Sequence, residues 1–156
     1  MASFQKFNQF VADLANKVHN LGSDTLKIAL FTSTTAPTVA DATYDDTTNH
    51  TLNSSGAAEV AAGNGYTQGG VAVGTVTSTQ TSGTYKLVPS AAGNCTWTAS
   101  GTGFSARYAV LYNESAGSAG ARPVIGWWDY GSNLPINSGV TFTVDLDTTN
   151  GILQLA

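Results

Sequence analysis

Phe104-Ser105-Ala106-Arg107-Tyr108-Ala109-Val110-Leu111-Tyr112-Asn113 alternates with a period of two: Ala106, Tyr108, Val110 and Tyr112 share one face, and Arg107, Ala109 and Leu111 share the other. Val124 to Tyr130 follows, nearly continuous in apolar character, as expected of a strand covered on both sides. Working outward, Leu26, Ile28 and Leu30 alternate with Thr25, Lys27, Ala29 and Phe31, and Val140, Phe142, Val144 and Leu146 alternate with Thr141, Thr143, Asp145 and Asp147. Shorter runs lie between them: Val71 to Val76 with a bulge at Gly74, Thr84 to Val88 after a turn at Ser82-Gly83, and the alternation of Cys95, Trp97 and Ala99. Thr149-Asn150-Gly151 reads as a hairpin turn into Ile152 to Leu155. Strands at this pitch predict a mainly β fold, an antiparallel β-sandwich or jelly-roll-like barrel, with residues 66–156 as its β-rich core.

The period differs at the N-terminus. Phe4, Phe7, Val11, Leu14, Val18 and Leu21 recur at spacings of three and four, which predicts one amphipathic helix over 4–21, about five turns long. Ser3 is placed to cap its start and Gly22 its end. The apolar stripe needs a cover, and the chain's own sheet is the expected one. Residues 33–65, rich in Thr, Ala, Ser, Asn and Asp, hold no sustained period and read as a long surface excursion, with Ala57 to Ala62 its most structured part. Long irregular segments of this kind favour an interaction role.

At 156 residues the chain is expected to fold as a single domain and to bury about two thirds of its unfolded surface. Charged residues make up 10%, against about 25% in an ordinary soluble domain, so the surface is unusually neutral. Six basic residues against ten acidic ones leave no stripe to neutralise phosphates, and nucleic acid is not an expected partner. No window approaches the apolar length of a membrane span, and no cleavable leader is legible, so a cytoplasmic origin outside the membrane is expected. The sole cysteine, Cys95, has no second thiol to pair with.

The candidate chemistry is sparse. Glycines at 63–70 miss the dinucleotide spacing by one residue and precede a strand, so they read as a turn. His19 and His50 belong to no nucleophile or metal motif, and both are read as solvated. Asp145 and Asp147, two apart on a strand, share a face, but calcium would need more oxygens and glycosidic cleavage a raised pKa. Trp97, Trp127, Trp128, Tyr108, Tyr112 and Tyr130 are either core rings or a platform for stacking sugars. Adjacent Trp127 and Trp128 must point to opposite faces. Sequons begin at Asn49, Asn53, Asn94 and Asn113, and without a secretory leader they are expected to stay unmodified. No cofactor, metal or catalytic residue is assigned.

Asn64-Gly65-Tyr66-Thr67-Gln68-Gly69-Gly70, the Phe104–Asn113 strand, Pro123-Val124-Ile125-Gly126-Trp127-Trp128-Asp129-Tyr130-Gly131, Asn150-Gly151-Ile152-Leu153 and Lys27-Ile28-Ala29-Leu30-Phe31-Thr32 together resemble a family of small structural proteins of tailed bacteriophages. The resemblance spans nearly the whole chain and carries over no catalytic residue. It implies a virion component, foremost a capsid decoration (cement) protein on the outer shell, made in the bacterial cytoplasm. Its implied partners are the phage major capsid (coat) protein and further copies of itself, a homotrimer being the natural symmetric form. A tail, neck or fibre component and a sugar-binding module are the alternatives, with an enzyme behind both. Phe4, Phe7, Tyr44, His50, Trp127 and Trp128 are the candidate partner contacts, drawn from the helix, the excursion and the paired tryptophans.

Overall fold

The computed structural model describes residues 3–90 and 95–156, so Asn94 of one sequon lies outside the described residues. Strand β1 (Phe4–Lys6) leads into helix α1 (Asn8–Ala15), and β2 (Leu26–Phe31), β3 (Thr43–Asp45) and β4 (Thr51–Leu52) follow. Then come β5 (Val71–Ala72), β6 (Val76–Thr81), β7 (Thr84–Pro89), β8 (Cys95–Thr98), β9 (Phe104–Asn113), β10 (Arg122–Ile136), β11 (Thr141–Val144) and β12 (Leu153–Leu155). The expected mainly β, antiparallel architecture is observed. Among the described residues the strands form three sheets: a large one in the order β4-β3-β10-β9-β2-β5 with β1 also on β10, a ribbon β11-β8, and a small sheet β12-β7-β6.

Alternation along the central strands divides the core in two. Ile28, Leu30, Ala109, Leu111 and Ile125 face a layer that includes Trp97, Leu87 and Leu153 from the two smaller sheets, with Leu146, Leu21 and Phe10 of α1. Ala29, Phe31, Tyr108, Val110, Tyr112, Val124 and Trp127 face the other way, onto Phe7, Tyr44, Leu52 and Ala57. Both faces of the large sheet are therefore covered along residues 123–127 of β10, which is why that part of the strand reads as an unbroken apolar run. Trp127 and Trp128 point to opposite faces as expected: Trp127 joins the second core and Trp128 packs on the first.

The helix is far shorter than the 4–21 expectation. Phe4 to Lys6 pair with Trp128 to Gly126 as a strand, and the helix starts after Phe7, with no side-chain cap and no part for Ser3. Extended backbone puts Phe4 against Trp128 on one core and Phe7 against Trp127 on the other, a division that a continuous helix would forbid. The helix ends at Asn16, where Lys17 takes a left-handed φ of 60°, ahead of residues with weak helix propensity. Gly22 plays no capping part. Val11 and Val18 of the presumed stripe are exposed, while Phe10 carries the burial.

The 33–65 excursion is likewise more ordered than its composition suggests. It supplies β3 and β4, and it buries Asp41, Tyr44, Leu52, Ala57, Glu59 and Val60. Pairing of β5 covers only Lys27 and Ile28 of β2. Residues 58–60 continue that edge: Thr32 donates to the Ala58 carbonyl at 3.0 Å, Val60 donates to the Leu30 carbonyl at 2.9 Å, and Phe31 bridges Glu59. The chain closes differently from the expected last hairpin. Asp147 caps the turn by accepting from the N–H groups of Thr149 and Asn150, each at 2.7 Å, but β12 pairs with β7 and not with β11. Strand β11 ends at Val144, so Asp145 and Asp147 lie beyond it and not on one strand face.

Candidate functional site

Two places concentrate the chemistry: a buried polar knot under the excursion, and a cleft between the large sheet and β11.

The knot is centred on Glu59, whose side chain has no solvent exposure. Its Oε1 accepts from the Tyr66 hydroxyl at 2.6 Å and from the Gly69 N–H at 2.8 Å. Its Oε2 accepts from the Tyr44 hydroxyl and lies 3.2 Å from Nδ1 of His50. Tyr66 in turn receives the Leu30 N–H at 2.9 Å, and the Tyr112 hydroxyl donates to the Gly69 carbonyl at 2.7 Å. Burial raises the Glu59 carboxyl above its ordinary value, although four hydrogen-bonding or charged partners pull the other way. Burial together with the neighbouring carboxylate also pushes the Tyr44 and Tyr66 phenols far up, so both stay protonated donors. This arrangement fastens the excursion and the 63–70 turn to the sheet. That turn depends on glycine at Gly70, where φ is 65° and a Cβ would collide with the Ile28 carbonyl.

A second polar cluster holds the N-terminal loop. The Asn113 side chain donates to Asp24 Oδ2 at 2.6 Å and to His19 Nδ1 at 3.0 Å, while its Oδ1 accepts from the N–H groups of Ser115 and Ala116. Because Asn113 Nδ2 can only donate, His19 Nδ1 accepts and Nε2 carries the proton. That Nε2 is buried 3.9 Å from Asp13, beyond hydrogen-bond reach. Burial lowers the His19 pKa. His19 is thus a core residue and not the solvated one expected, and Asn113, fully buried, is closed to glycosylation in the fold.

The cleft has a volume of about 430 Å³, and its lining includes Phe4, Trp128, Tyr130, Phe142, Arg107 and Asp145. Phe4, Trp128, Ala109 and Leu30 make its floor, since Trp128 and Leu30 both lie opposite Ala109 and Phe4 lies opposite Trp128. Arg107 grips Asp129 bidentately, Nε to Oδ1 at 2.9 Å and Nη2 to Oδ2 at 3.0 Å, and lies 5.0 Å from the Tyr108 ring centre. That hydrogen-bonded pairing raises the Arg107 pKa and lowers that of Asp129. Asp147 is spent on its turn, whereas Asp145 is exposed and takes part in no hydrogen bond or ion pair among the described residues.

The candidate partner contacts fall apart along the same lines. Phe7, Tyr44 and Trp127 are buried in the chain's own core and offer no surface to a partner. His50 is held by Glu59 with 22% of its side chain exposed, and Phe4 and Trp128 stand half-buried at the cleft. Of the rings considered for sugar stacking, Trp97, Trp127, Tyr108 and Tyr112 are core, whereas Trp128 and Tyr130 present surface at the cleft. The sequence reading missed Glu59 altogether. Its only signal was a single acid inside the small-residue run Ala57-Ala58-Glu59-Val60-Ala61-Ala62. No known family model, curated protein or solved structure matches the chain.

Proposed function

We propose that the chain is a virion structural protein of a tailed bacteriophage, acting as a capsid decoration protein that binds and stabilises the coat-protein shell. The observation that carries this reading beyond the family resemblance is the character of β6. Among the described residues it pairs only with β7 and so forms an edge of the small sheet, and its residues Thr77 to Thr81 are all exposed and uncharged. Such an edge offers backbone donors and acceptors with little side-chain entropy to lose, which suits broad passive contacts with a protein lattice. Three of the six basic side chains are meanwhile paired within the chain: Lys27 and Arg122 with Glu114, Arg122 with Asp46, and Arg107 with Asp129.

The test is co-sedimentation of the purified protein with expanded, undecorated capsids, followed by cryo-electron microscopy of the pellet. Stoichiometric density on the shell is the expected result, with no binding to unassembled coat protein. Absence from the shell, with the protein located instead at the neck or tail of intact virions, overturns the decoration role.

A further inference from the structure

We infer that the cleft between β9–β10 and β11 is a binding site for a neutral oligosaccharide, a property independent of where in a virion the protein sits. The cleft's volume of about 430 Å³ falls in the range of small-ligand sites, about 300–1,000 Å³. Its floor is apolar and aromatic, formed by Phe4 and Trp128, whose ring centres are 4.9 Å apart. Tyr130 at its mouth is 59% exposed, a large ring left in water beside an apolar cavity. A flat ring at the rim of an apolar slot matches the C–H face of a pyranose, which is itself apolar on one side and ringed by hydroxyls.

The polar groups choose among possible occupants. Asp145 presents an unengaged carboxylate, an acceptor for sugar O–H groups, and Arg107, whose guanidinium is held by Asp129, joins it in the lining. The lining holds the carboxylates of Asp145 and Asp147, and its guanidinium is already neutralised by Asp129, so an anionic ligand would meet net negative charge. A purely apolar ligand or peptide would leave Asp145 desolvated without a partner. A neutral, hydroxyl-rich ligand with one apolar face fits both halves of the cleft.

The experiment is saturation-transfer NMR on the full chain with cellobiose, maltotriose, the N-acetylglucosamine trimer and lactose as neutral probes and sialyllactose as the anionic one, read alongside intrinsic tryptophan fluorescence. Saturation of ring protons of at least one neutral probe is expected, with a Kd of about 1 mM or tighter. Tyr130→Ala and Asp145→Asn, both exposed substitutions, should each weaken that binding at least about tenfold while the thermal midpoint stays put. Failure of every neutral probe to bind, preference for sialyllactose, or binding unchanged in both variants overturns the inference. So does concentration-dependent self-association that Tyr130→Ala abolishes, because the cleft would then be the seat of a second copy.

Discussion

Replacing Glu59 by alanine removes the acceptor shared by the Tyr44 hydroxyl, the Tyr66 hydroxyl and the Gly69 N–H. Two of these donors have a fallback. Tyr44 can turn to His50 Nδ1 at 3.3 Å, and Tyr66 to the Leu30 carbonyl at 3.5 Å, whereas Gly69 is left bare. With each unsatisfied buried group costing about 1–3 kcal/mol, the expected loss is about 3 kcal/mol, or about 6–12 °C in thermal midpoint for a domain of this size. Glu59→Gln keeps an acceptor for Tyr66 and Gly69 and turns a donor toward Tyr44, so it should cost about 1 kcal/mol or less. The sign of the pH dependence follows from burial. Because the folded carboxyl titrates above its ordinary 4.5, the folded chain holds a proton that the unfolded chain has already released. The contribution of Glu59 to stability is therefore full below 4.5 and falls as pH rises through the folded value. Urea unfolding of wild type and both variants from about pH 4 to about pH 8 reads all of this. Wild type should lead Glu59→Gln by most at the acid end. An alanine variant within about 0.5 kcal/mol of wild type, or a glutamine variant as damaged as alanine, would refute the account of the knot.

His19 should produce the opposite slope. Its folded pKa is lowered from 6.5 by burial, so its contribution is complete above 6.5 and lost as pH falls through the folded value; His19→Gln should flatten that part of the stability–pH curve. Gly126→Ala would drive a methyl into the Phe4 ring and the Gln5 carbonyl, and should cost about 1–3 kcal/mol while selectively speeding hydrogen exchange in β1. Equal protection of Phe4–Lys6 amides in both proteins would contradict it. Cys95 is fully buried and its thiol is pushed up to about 11, so an aromatic disulfide reagent should label it only at the rate of unfolding. Rapid stoichiometric labelling in native buffer would show the site to be open.

Much of the sheet was legible because its signal is local. Period two in Phe104–Asn113 and the unbroken apolar run of Val124–Tyr130 survive any arrangement of neighbours, since both follow from the pleat. The N-terminal segment misled for a related reason. Phe4 and Phe7 are spaced as a helix face would have them, yet edge pairing with β10 draws Phe4 to Lys6 into extended backbone and sends the two rings to different cores. The candidate cleft shows both sides of this. Trp128 and Tyr130 were visible as rings suited to sugar and both lie on β10, but Asp145, which joins them, lies beyond the end of β11. Their meeting depends on how the β8–β11 ribbon packs over the large sheet.

By itself, then, the sequence determined the β class, the positions of the long strands, the opposed faces of Trp127 and Trp128, and a surface poor in charge, because these depend on residue type and on periods of a few residues. Only the tertiary structure decided that the Thr-rich excursion is pinned by Glu59, that His19 and Asn113 are core, and which rings keep an exposed face. Burial and partnership are set by contacts across dozens of residues of chain, such as Asn113 to His19, and no local pattern encodes them.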